Sequence, residues 1–86
     1  MKTICIINSF GTKRWYLNSK CHREDGPAVE YTNGHKEWWL NDKLHRVDGP
    51  AIEYADGDKS WYYQGKKINC KDNEEFLRTI KLIAFL

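Results

Sequence analysis

Large apolar residues alternate with polar ones in short stretches along most of the chain. Trp15 and Leu17, Trp38 and Leu40, and Trp61 and Tyr63 fall on one parity, and Tyr16, Trp39 and Tyr62 on the other. A period of two marks strands whose successive side chains point to opposite faces. Asn33-Gly34 and Asp56-Gly57 read as two-residue hairpin turns, because glycine and Asn or Asp tolerate the positive φ of the primed turns. Asn41-Asp42 and Gln64-Gly65 read as turns at the other edge. Asp25-Gly26-Pro27 and Asp48-Gly49-Pro50 read as corners, with glycines needing a backbone conformation closed to β-branched residues. After residue 71 the period changes. Asp72-Asn73-Glu74-Glu75 has the form of a capping box, and Phe76, Leu77, Ile80, Ile83 and Ala84 follow with helical spacing. The pattern predicts a mostly β chain: a single antiparallel meander of stacked hairpins, capped by one C-terminal α-helix.

The hairpins repeat. Residues 15–37 laid over 38–60 agree at fourteen of 23 positions without a gap, the self-similarity of a repeat stack in which each unit contacts its neighbours. The shared frame runs Trp15-x-Leu17-Asn18-x-Lys20-x-His22-Arg23-x-Asp25-Gly26-Pro27-Ala28-x-Glu30-Tyr31, then Gly34 and Lys36. Carried backwards, it sets Gly11 on Gly34 and Ile4–Asn8 over Pro27–Tyr31. One domain of 1–86 therefore divides into a half repeat (1–14), repeat 1 (15–37), repeat 2 (38–60), a truncated repeat 3 (61–71) and the capping helix (72–86).

Parity assigns the faces. The Trp15, Trp38, Trp61 row is uniformly large and apolar and is expected to be the core. The Tyr16, Trp39, Tyr62 row alternates with polar residues and is expected to face outward, as an aromatic track roughly 20 Å long. Such a track suits binding, since Tyr and Trp offer large contact area with few rotamers to freeze. At the corners, Arg23 and Arg46 are expected to pair with Asp25 and Asp48, while His22 and His45 close the turn with a backbone hydrogen bond. A metal site is set aside because equivalent histidines lie roughly 9–10 Å apart. Catalysis is set aside because acid and base groups must converge on one reacting atom, and here they recur in tandem. The candidate binding set is Tyr16, Trp39 and Tyr62, with Arg23, Arg46, His22 and His45 at the corners.

Composition narrows the classes. Fourteen Lys and Arg against twelve Asp and Glu give a formal charge of +2, too balanced for a nucleic-acid arm, so direct nucleic-acid binding is not expected. No apolar run approaches the roughly 20 residues of a membrane span, and none has the length of a signal peptide's apolar region, which predicts a cytoplasmic protein. Cys5, Cys21 and Cys70 are odd in number and widely spaced, which predicts separate reduced thiols. No cofactor or metal is expected.

The frame Lys-x-His, a corner glycine, then Asn-Gly or Asp-Gly and an aromatic resembles the MORN repeat over residues 11–68, with His-Arg-x-Asp-Gly-Pro-Ala at His22–Ala28 and His45–Ala51 as a variant. This variant is similar to repeats in uncharacterised proteins of bacteriophages and giant viruses. The resemblance implies a non-catalytic binding protein, phage-encoded and acting in the host cytoplasm, that inhibits a host protein or complex such as a CRISPR or other nuclease defence. Three alternatives stay open beside it: an oligomeric sponge for a signalling nucleotide, a membrane-proximal scaffold as in MORN proteins and, ranked last, a hydrolase built on His and Asp. The sponge implies a homo-oligomer, because one thin sheet encloses no deep pocket.

Overall fold

Three glycines one repeat apart make the loops at one edge of the sheet. The computed structural model describes residues 3–84. Gly11, Gly34 and Gly57 have φ of +85°, +96° and +95°. Each donates its N–H to the carbonyl three residues back, on Asn8, Tyr31 and Tyr54. The same three residues donate to the carbonyls of Thr12, His35 and Asp58. These are three-residue loops, a turn followed by one left-handed glycine. They correct the expected two-residue turns at Asn33-Gly34 and Asp56-Gly57: Asn33 and Asp56 keep negative φ and use Oδ1 to accept the N–H of His35 and Asp58. The primed geometry lies at the other edge, where Asn18-Ser19, Asn41-Asp42 and Gln64-Gly65 all have positive φ.

Between these loops the chain runs as β1 (Ile4–Ile7), β2 (Lys13–Leu17), β3 (Lys20–Cys21), β4 (Val29–Glu30), β5 (Lys36–Glu37), β6 (Trp39–Leu40), β7 (Lys43–Leu44), β8 (Ile52–Glu53), β9 (Lys59–Tyr63) and β10 (Lys66–Ile68), followed by α1 (Asn73–Ala84). All pairings are antiparallel. The main sheet has the order β1-β2-β4-β5-β8-β9-β10 with β3 also on β2, and β6–β7 form a separate hairpin. Short segments arise because the corners loop out of their strands. Trp15 donates its N–H to Ala28 and accepts at its carbonyl from His22, so residues 23–27 stand outside the ladder between β3 and β4. Trp38 does the same with Ala51 and His45, expelling residues 46–50.

The molecule measures 41 × 32 × 17 Å, with a radius of gyration of 13.5 Å, above the roughly 12 Å of a compact domain of this length. A sheet this thin cannot bury one whole face, and the expected division into a core row and an exposed row is corrected accordingly. Trp15 and Trp38 are only half-buried, and so are Tyr16, Trp39 and Tyr62. Small and β-branched residues on both parities are buried instead: Ala28 and Ala51, and Val29 and Ile52.

Among the described residues there is one compact apolar cluster, and the helix makes it. Trp61, Ile68 and fully buried Phe76 pack together, with Tyr63, Cys70, Ile80 and Ile83 around them. Asp72 caps α1 through Oδ1, which accepts the N–H of Glu75 at 2.9 Å, and Glu74 and Glu75 meet the positive end of the helix dipole. Asn73 accepts the indole N–H of Trp61 at 3.1 Å, joining helix to sheet. The expected half-copy start at Met1-Lys2, the helix end at Phe85-Leu86 and the Ala84 side chain lie outside the described residues. Among the described residues, no helix is long and apolar enough to cross a membrane.

Candidate binding site

Each corner is built around an arginine. The Arg23 guanidinium lies 3.9 Å from the centre of the Trp15 ring, and Arg46 lies 3.8 Å from that of Trp38. Arg23 donates from Nε to Asp25 and from Nη1 to the Pro27 carbonyl and to Glu30, at 2.9, 3.1 and 3.1 Å. Arg46 repeats the set with Asp48, Pro50 and Glu53 at 2.9, 3.1 and 2.9 Å. The expected pairing with Asp25 and Asp48 is therefore present. The second carboxylates, Glu30 and Glu53, were missed by the sequence reading, although both stand in the repeat frame seven residues after the arginine.

Glycine at the corner serves this arrangement. Gly26 and Gly49 do not have positive φ, which corrects the expectation of a special backbone conformation. A Cβ at Gly49 would instead lie 2.7 Å from Arg46 Cζ, and one at Gly26 would lie 3.1 Å from Arg23 Cζ. The guanidinium is pinned between glycine, indole and two carboxylates, so the glycine is there to leave it room.

The histidines reach further than expected. His22 Nδ1 accepts the N–H of Asn41 at 3.0 Å, and His45 Nδ1 accepts that of Gln64 at 2.8 Å. Each closes the tight turn of the following repeat rather than its own. The neighbouring N–H groups of Asp42 and Gly65 go to the carbonyls of Cys21 and Leu44, so both turn amides of one copy are satisfied by the copy before it. This relieves turns that hold non-glycine residues at positive φ. Burial pulls the His45 pKa below its ordinary value. Cys21 is pushed up to about 11, first by burial and then by Asp42 and Glu37; its N–H bonds the Asp42 carboxylate at 2.6 Å.

Between the two corners lies a groove of about 530 Å3. Leu40 of β6, with Trp38 just before that strand and His45 just after β7, forms its floor, while Arg23, Glu24 and Asp25 on one side and Arg46, Val47 and Asp48 on the other belong to its loops. The two guanidiniums share this lining with three carboxylates, Glu24, Asp25 and Asp48, while Glu30 and Glu53 pair with the arginines from outside it. Three negative against two positive charges leave one negative in excess along the lining, on a chain whose formal charge is +2. Glu24, Asp25 and Asp48 are more than four-fifths exposed, and Val47 adds an exposed apolar side chain. The site is an apolar floor with an acidic rim.

Of the expected binding residues, Arg23, Arg46 and His45 meet at this groove. His22 is buried, with its Nε2 only 3.5 Å from Glu24. Tyr16, Trp39 and Tyr62 have the opposite strand parity and do not line it. The Trp39 indole N–H donates to Glu37 at 2.9 Å, and the other Glu37 oxygen contacts His35 Nε2 at 2.8 Å. A row that the two-residue period did not suggest crosses the loop edge: Tyr31, His35 and Tyr54 meet edge to face at 5.0 and 5.2 Å, and Arg14 lies over Tyr31. Among the described residues, no three His, Cys, Asp or Glu side chains lie close enough to hold a metal ion.

Comparison with protein-family models, curated proteins and solved structures returns no match. The resemblance to MORN repeats rests on the residues of the repeat alone.

Proposed function

We propose that the chain is a non-catalytic protein-binding module whose partner docks in the groove between the two corners. The observation that carries this reading is the commitment of the periodic polar residues. His22, His45, Arg23 and Arg46 are each tied to the fold in the same way in both copies, while Val47, Glu24 and one side of Trp38 and Leu40 are left to the groove. An apolar floor inside an acidic rim fits a segment that carries a lysine or arginine beside a large apolar side chain. A phosphate-bearing ligand fits less well, since both arginines already face two carboxylates each.

The finer reading is that of a phage-encoded inhibitor occupying a host protein complex. Its test is quantitative capture from host-cell lysate with wild type and with Val47→Arg and Glu24→Gln, the first at an exposed side chain and the second removing a charge while keeping an acceptor near His22 Nε2. Both variants are expected to melt like the wild type and to lose the captured protein. Retention of the same protein by both variants places the binding surface elsewhere.

A further inference from the structure

The two outer edges of the sheet differ in kind. At the C-terminal edge, β10 carries Lys66 and Lys67, and its Ile68 is buried against α1. At the N-terminal edge, β1 reads Ile4-Cys5-Ile6-Ile7, with no charge and no proline, and every residue of it is exposed. Ile4, Ile6 and Ile7 are 65, 56 and 60 % exposed, and Phe10 in the adjoining loop is 82 % exposed. Natural sheets blunt their edges with charge, proline or a covering element; β1 has neither charge nor proline, and among the described residues no element covers it. Ile4 and Ile6 lie on one face of β1 and Ile7 on the other, so both faces of this edge carry exposed apolar side chains.

The ladder shows which backbone groups are free. Asn8 donates its N–H to the Thr12 carbonyl, so Asn8 and Thr12 are a hydrogen-bonded pair. Antiparallel pairs alternate. Ile6 opposite Arg14 and Ile4 opposite Tyr16 are therefore bonded inward, whereas Ile7 opposite Lys13 and Cys5 opposite Trp15 are not. The N–H and carbonyl groups of Cys5 and Ile7 point away from β2, and those of Thr3 follow in the same alternation.

We propose that β1 is the interface with a second copy of this chain. The two β1 strands pair antiparallel about a twofold axis at Cys5 and join two sheets into one. Each Cys5 exchanges both backbone bonds with Cys5 of the second copy, Ile7 pairs with Thr3 and Ile4 faces Ile6, so the isoleucines of the two copies interdigitate. Moving the axis to Ile6 would set Ile4 against Asn8, which is already committed to its loop. A second copy is the occupant that the strand fits, because an uncharged apolar strand is its own complement and a formal charge of +2 raises little repulsion. The guarded opposite edge makes the contact isologous, so the assembly stops at two. This interface is independent of the corner groove.

Sedimentation of the full chain over a micromolar to millimolar series tests it, with a concentration-dependent dimer as the expected result. Cys5→Pro removes only an outward N–H, at an edge position that accepts proline. It should keep the circular dichroism of the wild type while raising the dimer Kd at least about tenfold, through loss of two symmetry-related bonds. In a Cys21→Ser, Cys70→Ser background, a short bismaleimide should give a covalent dimer through Cys5. A wild type that stays monomeric at every concentration overturns the proposal. So does a dimer that Cys5→Pro leaves intact or that the Cys5 thiols cannot bridge.

Discussion

Three tryptophans hold the same place in three copies of one repeat, yet only the last belongs to a hydrophobic cluster. Trp15 and Trp38 are half-buried beneath the guanidiniums of Arg23 and Arg46, whereas Trp61 is 7 % exposed and covered by Phe76. The chain lacks the corner after Trp61, and β10 pairs regularly with Ile68 opposite Trp61. Asp72, which falls where Asp25 and Asp48 fall, caps the helix instead. A single-layer sheet thus has two ways of covering an indole. The internal copies fold a cation back over it, and the terminal copy brings a helix. Beside Trp38 the folded-back cations leave a groove of about 530 Å3, whereas the hollow lined by Trp61, Ile68 and Cys70 is about 280 Å3, so the helix leaves the smaller opening at the equivalent position.

The largest effect is expected where the helix does the covering. Phe76→Ala empties a fully buried aromatic site and should cost about 3–5 kcal/mol, comparable with much of the stability of a domain this size. Trp38→Ala should cost less, about 1–3 kcal/mol, because its ring is already half-solvated. Denaturant melts of both variants rank the two modes, and a larger loss at Trp38 than at Phe76 would reverse the comparison.

A middle-sized effect separates the two corners. Gly49→Ala forces the Arg46 guanidinium off Trp38, since the added Cβ would lie 2.7 Å from Cζ, while Gly26→Ala meets Arg23 at 3.1 Å. The first should lose the cation–π contact, about 0.5–2 kcal/mol, together with part of the carboxylate pairing, and the second roughly half as much. Equal melting temperatures for the two variants would show that the arginine can move aside without cost.

The repeat, the meander and the helix were legible in the sequence because each leaves a local trace: a period of 23, turn residues at fixed offsets, and a capping carboxylate before an apolar stripe. The burial of each row was not legible. Parity says which residues share a face, but whether a face is covered depends on what packs over it, and here that is a loop arginine in two copies and a helix in the third. Turn type was misread for a related reason. Asn33-Gly34 satisfies the composition of a primed turn, yet the ladder register makes Gly34 alone left-handed, and register is a property of two strands. The corner residues were legible as architecture, while the reach of His22 and His45 into the next copy was not, because no local signal ties residue 22 to residue 41.

The smallest effect tests that reach. His45 Nδ1 accepts the Gln64 N–H, so the proton of the neutral ring is on Nε2, and protonation of Nδ1 would set one donor against another. Burial also disfavours the charged ring, and its folded pKa lies below the ordinary 6.5. The unfolded chain therefore binds the proton more readily than the folded one. The stability this residue contributes is fully present above about pH 6.5 and is lost as pH falls through the lower folded value. His45→Gln, which has no ring to titrate, should flatten that part of the profile while costing about 0.5–1.5 kcal/mol at neutral pH for the lost bond. Thermal melts of both proteins from about pH 8 to about pH 5 measure the difference, since carboxylate titration is common to the two and cancels. Parallel profiles would mean that protonation of His45 does not weaken the turn across this range, with the bonds from Gly65 N–H to the Leu44 carbonyl and from Arg46 N–H to the Tyr62 carbonyl holding the repeats together at every pH.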